Sequence, residues 1–252
     1  MSRSKGTGVP SWVASSAVPK STVSGRTVSS TAVRSPVVPA PVGLGLDSAA
    51  VRQRMVQRLA AGGIQSQKVL SAMGQVQRHL FVDSALVNQA YEDTSLPIGL
   101  QQTISKPSVV ARMIELLEGA EYVRAMGRMG RVLEIGTGCG YQAAVLACVA
   151  QQVYSVERLR GLHDKARNNL RPLKLTNIHL LFGDGMLGYA PGAPYAGIIS
   201  AAGGDAVPQA WLDQLAIGGR LVAPIVKGKG QQALLVIDKT QHGYKESVLE
   251  AV

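Results

Sequence analysis

Three glycines and two acidic residues between positions 134 and 157 form the pattern with the clearest chemical meaning. Gly136, Gly138 and Gly140 follow an apolar strand pattern in RVLEIGTGCGYQAAVLA, and Glu134 lies just before them. Because glycine has no side chain, a loop rich in it lets the backbone approach a ligand closely. Glu157 ends the next apolar run, where a carboxylate can accept hydrogen bonds from the hydroxyls of a ribose. The pattern therefore predicts a nucleoside-binding site.

The spacing of the glycines narrows the kind of nucleoside. A dinucleotide site prefers G-x-G-x-x-G/A, but the third small position is occupied here by Tyr141. No lysine follows in the register of a phosphate-binding P-loop. A ribose-binding acid is nevertheless shared by sites for NAD and for S-adenosylmethionine. The alternative for Glu157 is a surface carboxylate paired with Arg158 or Arg160.

A second acidic turn, Gly-Asp-Gly at 183–185, follows another apolar run. Asp184 is placed to accept a hydrogen bond from an adenine amino group, although an ordinary Asp-Gly turn explains it equally well. Polar residues after successive strands favour an adenosyl ligand more strongly together than any one of them does alone. The two cysteines and four histidines have no metal-ligand spacing, so we predict no metal site.

The elements that would position these residues alternate between strand and helix after Arg131. This alternation predicts an α/β fold with a doubly wound, mostly parallel sheet, to which an antiparallel hairpin adds an edge. The predicted strands cover 132–135, 153–156, 178–182, 198–200, 221–226, 233–237 and 248–252. The predicted helices among them cover 141–149, 159–170 and 208–215, the last ended by Gly218 and Gly219. Earlier helices are expected near 48–59, 67–76, 84–89 and 107–117.

The chain divides into two regions by composition. Residues 1–45 are rich in Ser, Pro and Val and contain five basic and no acidic residues, which predicts a disordered basic arm, or alternatively a transit peptide. Residues 46–252 form the folded domain, with a helical and substrate-loop part at 46–120 and a cofactor-binding sheet at 131–252. We expect the arm to be dispensable for catalysis.

The composition also bounds the partners. The net charge is +10, half of it in the arm, and aromatic residues make up only 4%. This favours a solvated surface over a nucleic-acid site. No apolar run reaches the length of a membrane span, and two isolated cysteines suit a reducing compartment. We therefore expect a monomeric cytoplasmic protein without nucleic-acid or membrane partners.

One segment carries a specific resemblance. HLFVDSALVNQAYEDTSLPIGLQQTISKPSVVARMIELL, with VLEIGTGCGYQAAVLA, GDG and AVPQAWLDQLAIGGRLVAPI, resembles the bacterial protein-L-isoaspartate O-methyltransferase family over residues 46–252. The resemblance implies a Rossmann-like fold that uses S-adenosylmethionine to methylate the α-carboxylate of L-isoaspartyl residues in damaged proteins. The resulting ester collapses to a succinimide, and this initiates repair.

The resemblance also implies roles for particular residues. Ser105 is matched to the family's active-site serine, which we expect to hydrogen-bond the substrate carboxylate; from the residues alone, a helix N-cap explains it better. The residues implied to bind the cofactor are Gln102, Thr103, Ile104, Ser105, Glu134, Gly136, Gly138, Gly140, Glu157, Arg158, Asp184 and Gly185. Tyr91, Glu92 and Asp93 lie in the loop that precedes Gln102, and we expect them mainly to shape that loop, with substrate contact as the lesser alternative.

Two other functions remain open at this point. One is an S-adenosylmethionine-dependent methyltransferase for a small molecule or RNA. The other is a cofactor binder without turnover, because family members usually continue beyond the position of Val252 with a strand that helps to close the cofactor site. We expect a chain that ends there to have a weaker cofactor pocket.

Overall fold

The computed structural model describes residues 49–201, 206–227 and 231–251. The predicted basic arm, 1–45, lies outside the described residues. The N-terminal part consists of helices and one small hairpin. Its elements are α1 (Ala49–Ala61), α2 (Gln67–Gln75), β1 (Leu96–Gly99), β2 (Gln102–Ile104), α3 (Pro107–Glu118) and α4 (Glu121–Met126). Two 3₁₀ helices, Arg78–Phe81 and Ser84–Gln89, connect α2 to β1.

A seven-stranded sheet forms the rest of the molecule. Its strands are β3 (Met129–Ile135), β4 (Ala150–Glu157), β5 (Ile178–Phe182), β6 (Tyr195–Ser200), β7 (Leu215–Lys227), β8 (Gln231–Thr240) and β9 (Gly243–Ala251). The helices between them are α5 (Tyr141–Ala147), α6 (Arg160–Leu170) and α7 (Gln209–Gln214). The strand order is β5-β4-β3-β6-β7-β8-β9, parallel from β5 to β7 and antiparallel from β7 to β9.

The central strand β3 shows how the sheet is stabilised on both faces. Val132 and Leu133 are both fully buried, although their side chains point to opposite faces. Val132 belongs to the large apolar cluster shared with α1, α2, α3 and α5, whereas Leu133 belongs to a smaller cluster around Trp211. Burial on both faces explains the unbroken apolar run in the sequence.

Helix α3 packs against the sheet through one apolar stripe. Val110, Ile114 and Leu117 recur at the three- and four-residue spacing of a single helix face, and each is at most 1% exposed. A side chain at Gly197 on β6 would lie 3.2 Å from a methyl carbon of Leu117, so this glycine lets the helix approach the sheet. The close packing fixes the position of the segment that precedes α3.

The direction of the strand order reverses at β3, which pairs with β4 on one side and β6 on the other. In open parallel sheets, ligands bind beside such a point, at the carboxyl ends of the strands. Backbone hydrogen bonds join those ends. The amides of Gly136, Gly183 and Ala201 donate to the carbonyls of Val156, Glu157 and Ile135, respectively. The fold therefore predicts that a ligand binds beside the loops after β3, β4 and β5.

The doubly wound, mostly parallel α/β prediction is confirmed, as is the antiparallel hairpin of β7 and β8. The prediction for the glycine pair after α7 was wrong. Gly218 and Gly219 do not end a helix; they lie inside β7, where the register with β6 shifts. A Cβ at Gly219 would lie 2.9 Å from the carbonyl oxygen of Tyr195, so the glycine pair permits close contact between two backbones rather than a helix cap. In the part of the chain described above, no helix is long and apolar enough to cross a bilayer.

Candidate active site

The glycine loop between β3 and α5 has a backbone that only glycine adopts easily. Gly138 and Gly140 have φ angles of 57° and 91°. A Cβ at Gly140 would lie 3.0 Å from a methyl carbon of Leu170, and Gly140 is buried. Gly138 is half-buried and lies beside Ile98 of the β1–β2 hairpin. Gly140 thus serves the packing of the loop, whereas Gly138 lies where the loop and the hairpin meet.

Glu157 at the end of β4 is 5% exposed and bonded to two backbone amides. One carboxylate oxygen accepts from the amide of Gly138 and the other from that of Leu159, each at 2.9 Å. The alternative of a surface carboxylate paired with arginine is therefore wrong, because the side chain is buried against the glycine loop. Each oxygen keeps a further lone pair, so the carboxylate can still accept hydrogen bonds from a ligand.

Glu134 lies beneath the glycine loop and is completely buried. Gln142 donates to its carboxyl group at 3.1 Å, and the hydroxyl of Ser155 bonds its other oxygen. Ser155 in turn shares a hydrogen bond of 2.6 Å with Thr137 in the loop. Burial raises the pKa of Glu134 to about 8, so at neutral pH it retains its proton and the network carries no buried charge. Glu134 therefore supports the loop from below.

Ser105 follows directly after β2 and is half-buried. The expectation that it caps α3 was wrong, because the N-cap position is Lys106 and no side chain there makes a capping bond. Asp93 does so instead: its carboxylate accepts from the amide and the hydroxyl of Ser108, at 2.9 and 2.8 Å. Among the described residues, nothing forms a hydrogen bond with the hydroxyl of Ser105.

The turn after β5 completes this edge of the sheet. Asp184 is exposed, and its side chain accepts from the amide of Met186 at 3.0 Å, as in an ordinary Asp turn. Gly185 leaves room for Ile135, since a Cβ there would lie 2.6 Å from that side chain. The indole nitrogen of Trp211 donates to the carbonyl of Gly185 at 2.7 Å. The turn is thus fixed against β3 and α7 while the Asp184 carboxylate faces solvent.

The remaining predicted residues differ in accessibility. Arg158 and Thr103 are exposed, and Gln102 and Gly136 are half-buried, so their polar groups lie near the molecular surface. Ile104 is only 4% exposed, and its side chain belongs to the apolar core. Ile104 therefore has only backbone groups to offer a ligand.

Comparison with known proteins decides the family. The family model described as protein-L-isoaspartate(D-aspartate) O-methyltransferase matches residues 50–252. The chain is 62% identical to the protein-L-isoaspartate O-methyltransferase of Methylibium petroleiphilum over 204 residues, which cover 81% of this chain and 75% of that protein. The corresponding enzyme of Leptothrix cholodnii is 59% identical, over 80% and 70% of the two chains. The chain belongs to the protein-L-isoaspartate O-methyltransferase family.

Solved structures agree with this membership. One protein-L-isoaspartate O-methyltransferase superposes with a TM-score of 0.67 at 30% identity, covering 80% of this chain and 65% of that one. Another, a putative family enzyme from Plasmodium falciparum in complex with S-adenosyl-L-homocysteine, gives 0.64 at 23% identity, over 80% and 95% of the chains, and supports the fold. The prediction of an S-adenosylmethionine-dependent repair methyltransferase is confirmed at the level of the family.

Several residues that support this methyltransferase site were missed in the sequence. Asn169 on α6 donates to the carbonyl of Cys139 at 2.9 Å and so holds the glycine loop from outside. Ser155 and Gln142 bond Glu134. Ser155 lies opposite Glu134 on β4 and Gln142 lies in the first turn of α5, a relation that is visible only once the strands are paired. The bonds from Ser108 to Asp93 agree with the loop-shaping role that the sequence predicts for Asp93.

Proposed function

We propose that the chain transfers the methyl group of S-adenosylmethionine to the α-carboxylate of L-isoaspartyl residues in damaged proteins. The observation that carries this proposal is the contact between the two halves of the site. The hairpin that leads into Ser105 lies beside Gly138, where an added Cβ would be 3.3 Å from a methyl carbon of Ile98, and the amide of Gly138 donates to Glu157. The glycine loop and the segment that leads into Ser105 thus lie side by side, which supports a shared site for cofactor and substrate.

The described residues suit the cofactor chemically. Glu157 offers carboxylate lone pairs to the ribose hydroxyls, and Arg158 borders the same sugar. Asp184 and Gly185 would meet the adenine. Half-buried Gly136 and Gly138 would pass beneath the methionine part, because a backbone without side chains lets a ligand approach closely. Gln102, Thr103 and the backbone of Ile104 would line the other side.

Glu134 and Gly140 have a different proposed role. Both are buried, Glu134 in the network with Ser155 and Thr137, Gly140 against Leu170. We assign them to holding the loop in its binding conformation rather than to direct contact with the ligand.

The chain needs little acid–base chemistry for this reaction. When bound, S-adenosylmethionine supplies a methyl group on a positively charged sulfur, which is a good leaving group. The substrate carboxylate is already ionised at neutral pH, so no residue has to remove a proton. Ser105 would donate a hydrogen bond that orients one carboxylate oxygen, and the packed hairpin would exclude water. Alignment of this kind can contribute up to roughly 7–11 kcal/mol.

We further propose that the enzyme acts as a cytoplasmic monomer on protein substrates, without nucleic-acid or membrane partners, and that residues 1–45 are a dispensable arm. Both cysteines are free thiols, which suits a reducing compartment.

A paired-peptide assay tests the proposed function. Two peptides that differ only in one isoaspartyl or aspartyl linkage are incubated with the chain and methyl-labelled S-adenosylmethionine. We expect base-labile methyl ester on the isoaspartyl peptide and at least 100-fold less on its twin, because only the isoaspartyl linkage leaves a free α-carboxylate beside a one-carbon-longer backbone. Equal labelling of both peptides, or labelling of neither, would contradict the proposal.

A further inference from the structure

The β1–β2 hairpin is too small and too strained to hold its own shape. Its strands have four and three residues, and a two-stranded ribbon of that size is marginal in water. At its tip, Leu100 and Gln101 have φ angles of 50° and 59°. The left-handed region costs a residue other than glycine roughly 1–2 kcal/mol. Contacts with the rest of the molecule must therefore stabilise the hairpin.

Most of those contacts lie at the base and on the buried face. Leu96, Ile98 and Ile104 are each at most 4% exposed and pack into the large apolar cluster. Asp93, just before the hairpin, binds the start of α3. Neither set reaches the polar backbone near the tip.

Lys165 on α6 makes the polar contact near the tip. Its ammonium group donates to the carbonyl of Ile98 and to a carboxylate oxygen of Asp83, both at 2.9 Å. One side chain thus joins α6, the start of the second 3₁₀ helix and the hairpin. Leu100, at the tip of the hairpin, lies beside Gly161 on α6. A Cβ added at Gly161 would be 3.0 Å from a methyl carbon of Leu100.

We infer that Lys165 is a positioning residue for methyl transfer, whose ammonium group holds the hairpin against the glycine loop and so sets Ser105 relative to the cofactor. This inference rests on the proposed function. The carbonyl of Ile98 accepts the bond from Lys165, and the Ile98 side chain lies beside Gly138, where an added Cβ would be 3.3 Å from its terminal methyl carbon. Loss of the ammonium group therefore loosens the part of the hairpin that lies beside the glycine loop.

The size of the effect follows from the exposure of the groups. The side chain of Lys165 is 27% exposed and that of Asp83 is 64% exposed, so their ion pair alone contributes little to stability. The charge-assisted bond to the carbonyl is stronger, and both bonds weaken in salt. Small displacements of a reacting group cost rate disproportionately. We therefore expect a kinetic effect without global unfolding.

Lys165→Met is the test variant, because methionine keeps a long apolar stem and removes the charge. Arg167→Met is the matched control, since Arg167 lies on the same helix and pairs with Asp164 away from the hairpin. Lys165→Arg tests rescue. The measurements are kcat and KM for an isoaspartyl peptide at about 0.05 and 0.5 M salt, the Kd of S-adenosylhomocysteine, and hydrogen exchange over residues 96–104.

For Lys165→Met we expect about a tenfold lower kcat/KM at low salt, faster exchange confined to the hairpin, and less than a threefold change in cofactor Kd. We expect the parent chain to lose kcat/KM in high salt and the methionine variant to be nearly insensitive to it. Lys165→Arg should recover part of the loss, and Arg167→Met should match the parent.

Two results would overturn the positioning role. One is unchanged hairpin exchange in Lys165→Met; the other is faster exchange with parental kinetics. Failure of the proposed function would appear in the parent chain itself, as equal labelling of both peptides or labelling of neither. Failure of this inference would appear only when the Lys165 variants are compared with an active parent chain and with Arg167→Met.

Discussion

A Glu157→Gln variant is expected to bind S-adenosylhomocysteine about 100-fold more weakly than the parent chain. Both oxygens of Glu157 accept backbone hydrogen bonds, from Gly138 and from Leu159. Glutamine has one acceptor oxygen, so its amide nitrogen must face one of these N–H groups or turn away and leave it unpaired. Hydrogen bonds to a charged group contribute about 1.5–3 kcal/mol each. The ribose hydroxyls would also lose a charged acceptor. A total loss of roughly 3 kcal/mol in binding free energy corresponds to a 100-fold increase in Kd.

Calorimetric titration with S-adenosylhomocysteine measures this effect, and thermal unfolding of the same variant checks that it is folded. Glu121→Gln is the control, because Glu121 is an exposed glutamate in the first turn of α4, away from the glycine loop. The control should bind like the parent. A Glu157→Gln variant that is folded and binds with the parental Kd would show that this carboxylate does not contact the ligand.

A Ser105→Ala variant is expected to lose about 10- to 100-fold in kcat/KM for an isoaspartyl peptide while its stability changes little. The hydroxyl of Ser105 has no hydrogen bond with the described residues, so removing it leaves no buried group unpaired. A bond to an ionised carboxylate is worth about 1.5–3 kcal/mol, which sets the expected loss. The Kd of S-adenosylhomocysteine should change much less than kcat/KM.

Ser108→Ala makes the same substitution three residues later and serves as the matched control. Its hydroxyl donates to the capping carboxylate of Asp93, so its loss should reduce stability by about 1 kcal/mol, the usual net value of one hydrogen bond, and leave kcat/KM within a factor of a few. The opposite pattern, with Ser108 important for rate and Ser105 for stability, would return Ser105 to a capping role.

The sequence predicts the positions of the glycine loop and of Glu157 in the fold well, because short, local sequence patterns mark both. Apolar runs mark β3 and β4, glycines mark the turn, and the acid ends the next strand, so connectivity alone brings them to one edge of the sheet. The predicted bounds of the central strands agree with the structure to within a few residues for the same reason.

The failures share a physical cause, which is that tertiary contacts decide the outcome. Asp93 caps α3 through Ser108, 15 residues away in the sequence, whereas Ser105, the nearer candidate, makes no capping bond among the described residues. Gly218 and Gly219 resemble a helix end but lie inside β7, beside the backbone of Tyr195. Lys165 gives no sequence signal, because its partners Asp83 and Ile98 are 82 and 67 residues away.

The most direct test of this site is a crystal structure with S-adenosylhomocysteine and an isoaspartyl peptide. We predict that the ribose hydroxyls lie within hydrogen-bond distance of the Glu157 carboxylate and the adenine beside Asp184. We also predict that the sulfur faces a substrate carboxylate that accepts a hydrogen bond from Ser105. A nucleoside bound away from the glycine loop, or a Ser105 hydroxyl turned away from the substrate carboxylate, would contradict the proposed mechanism.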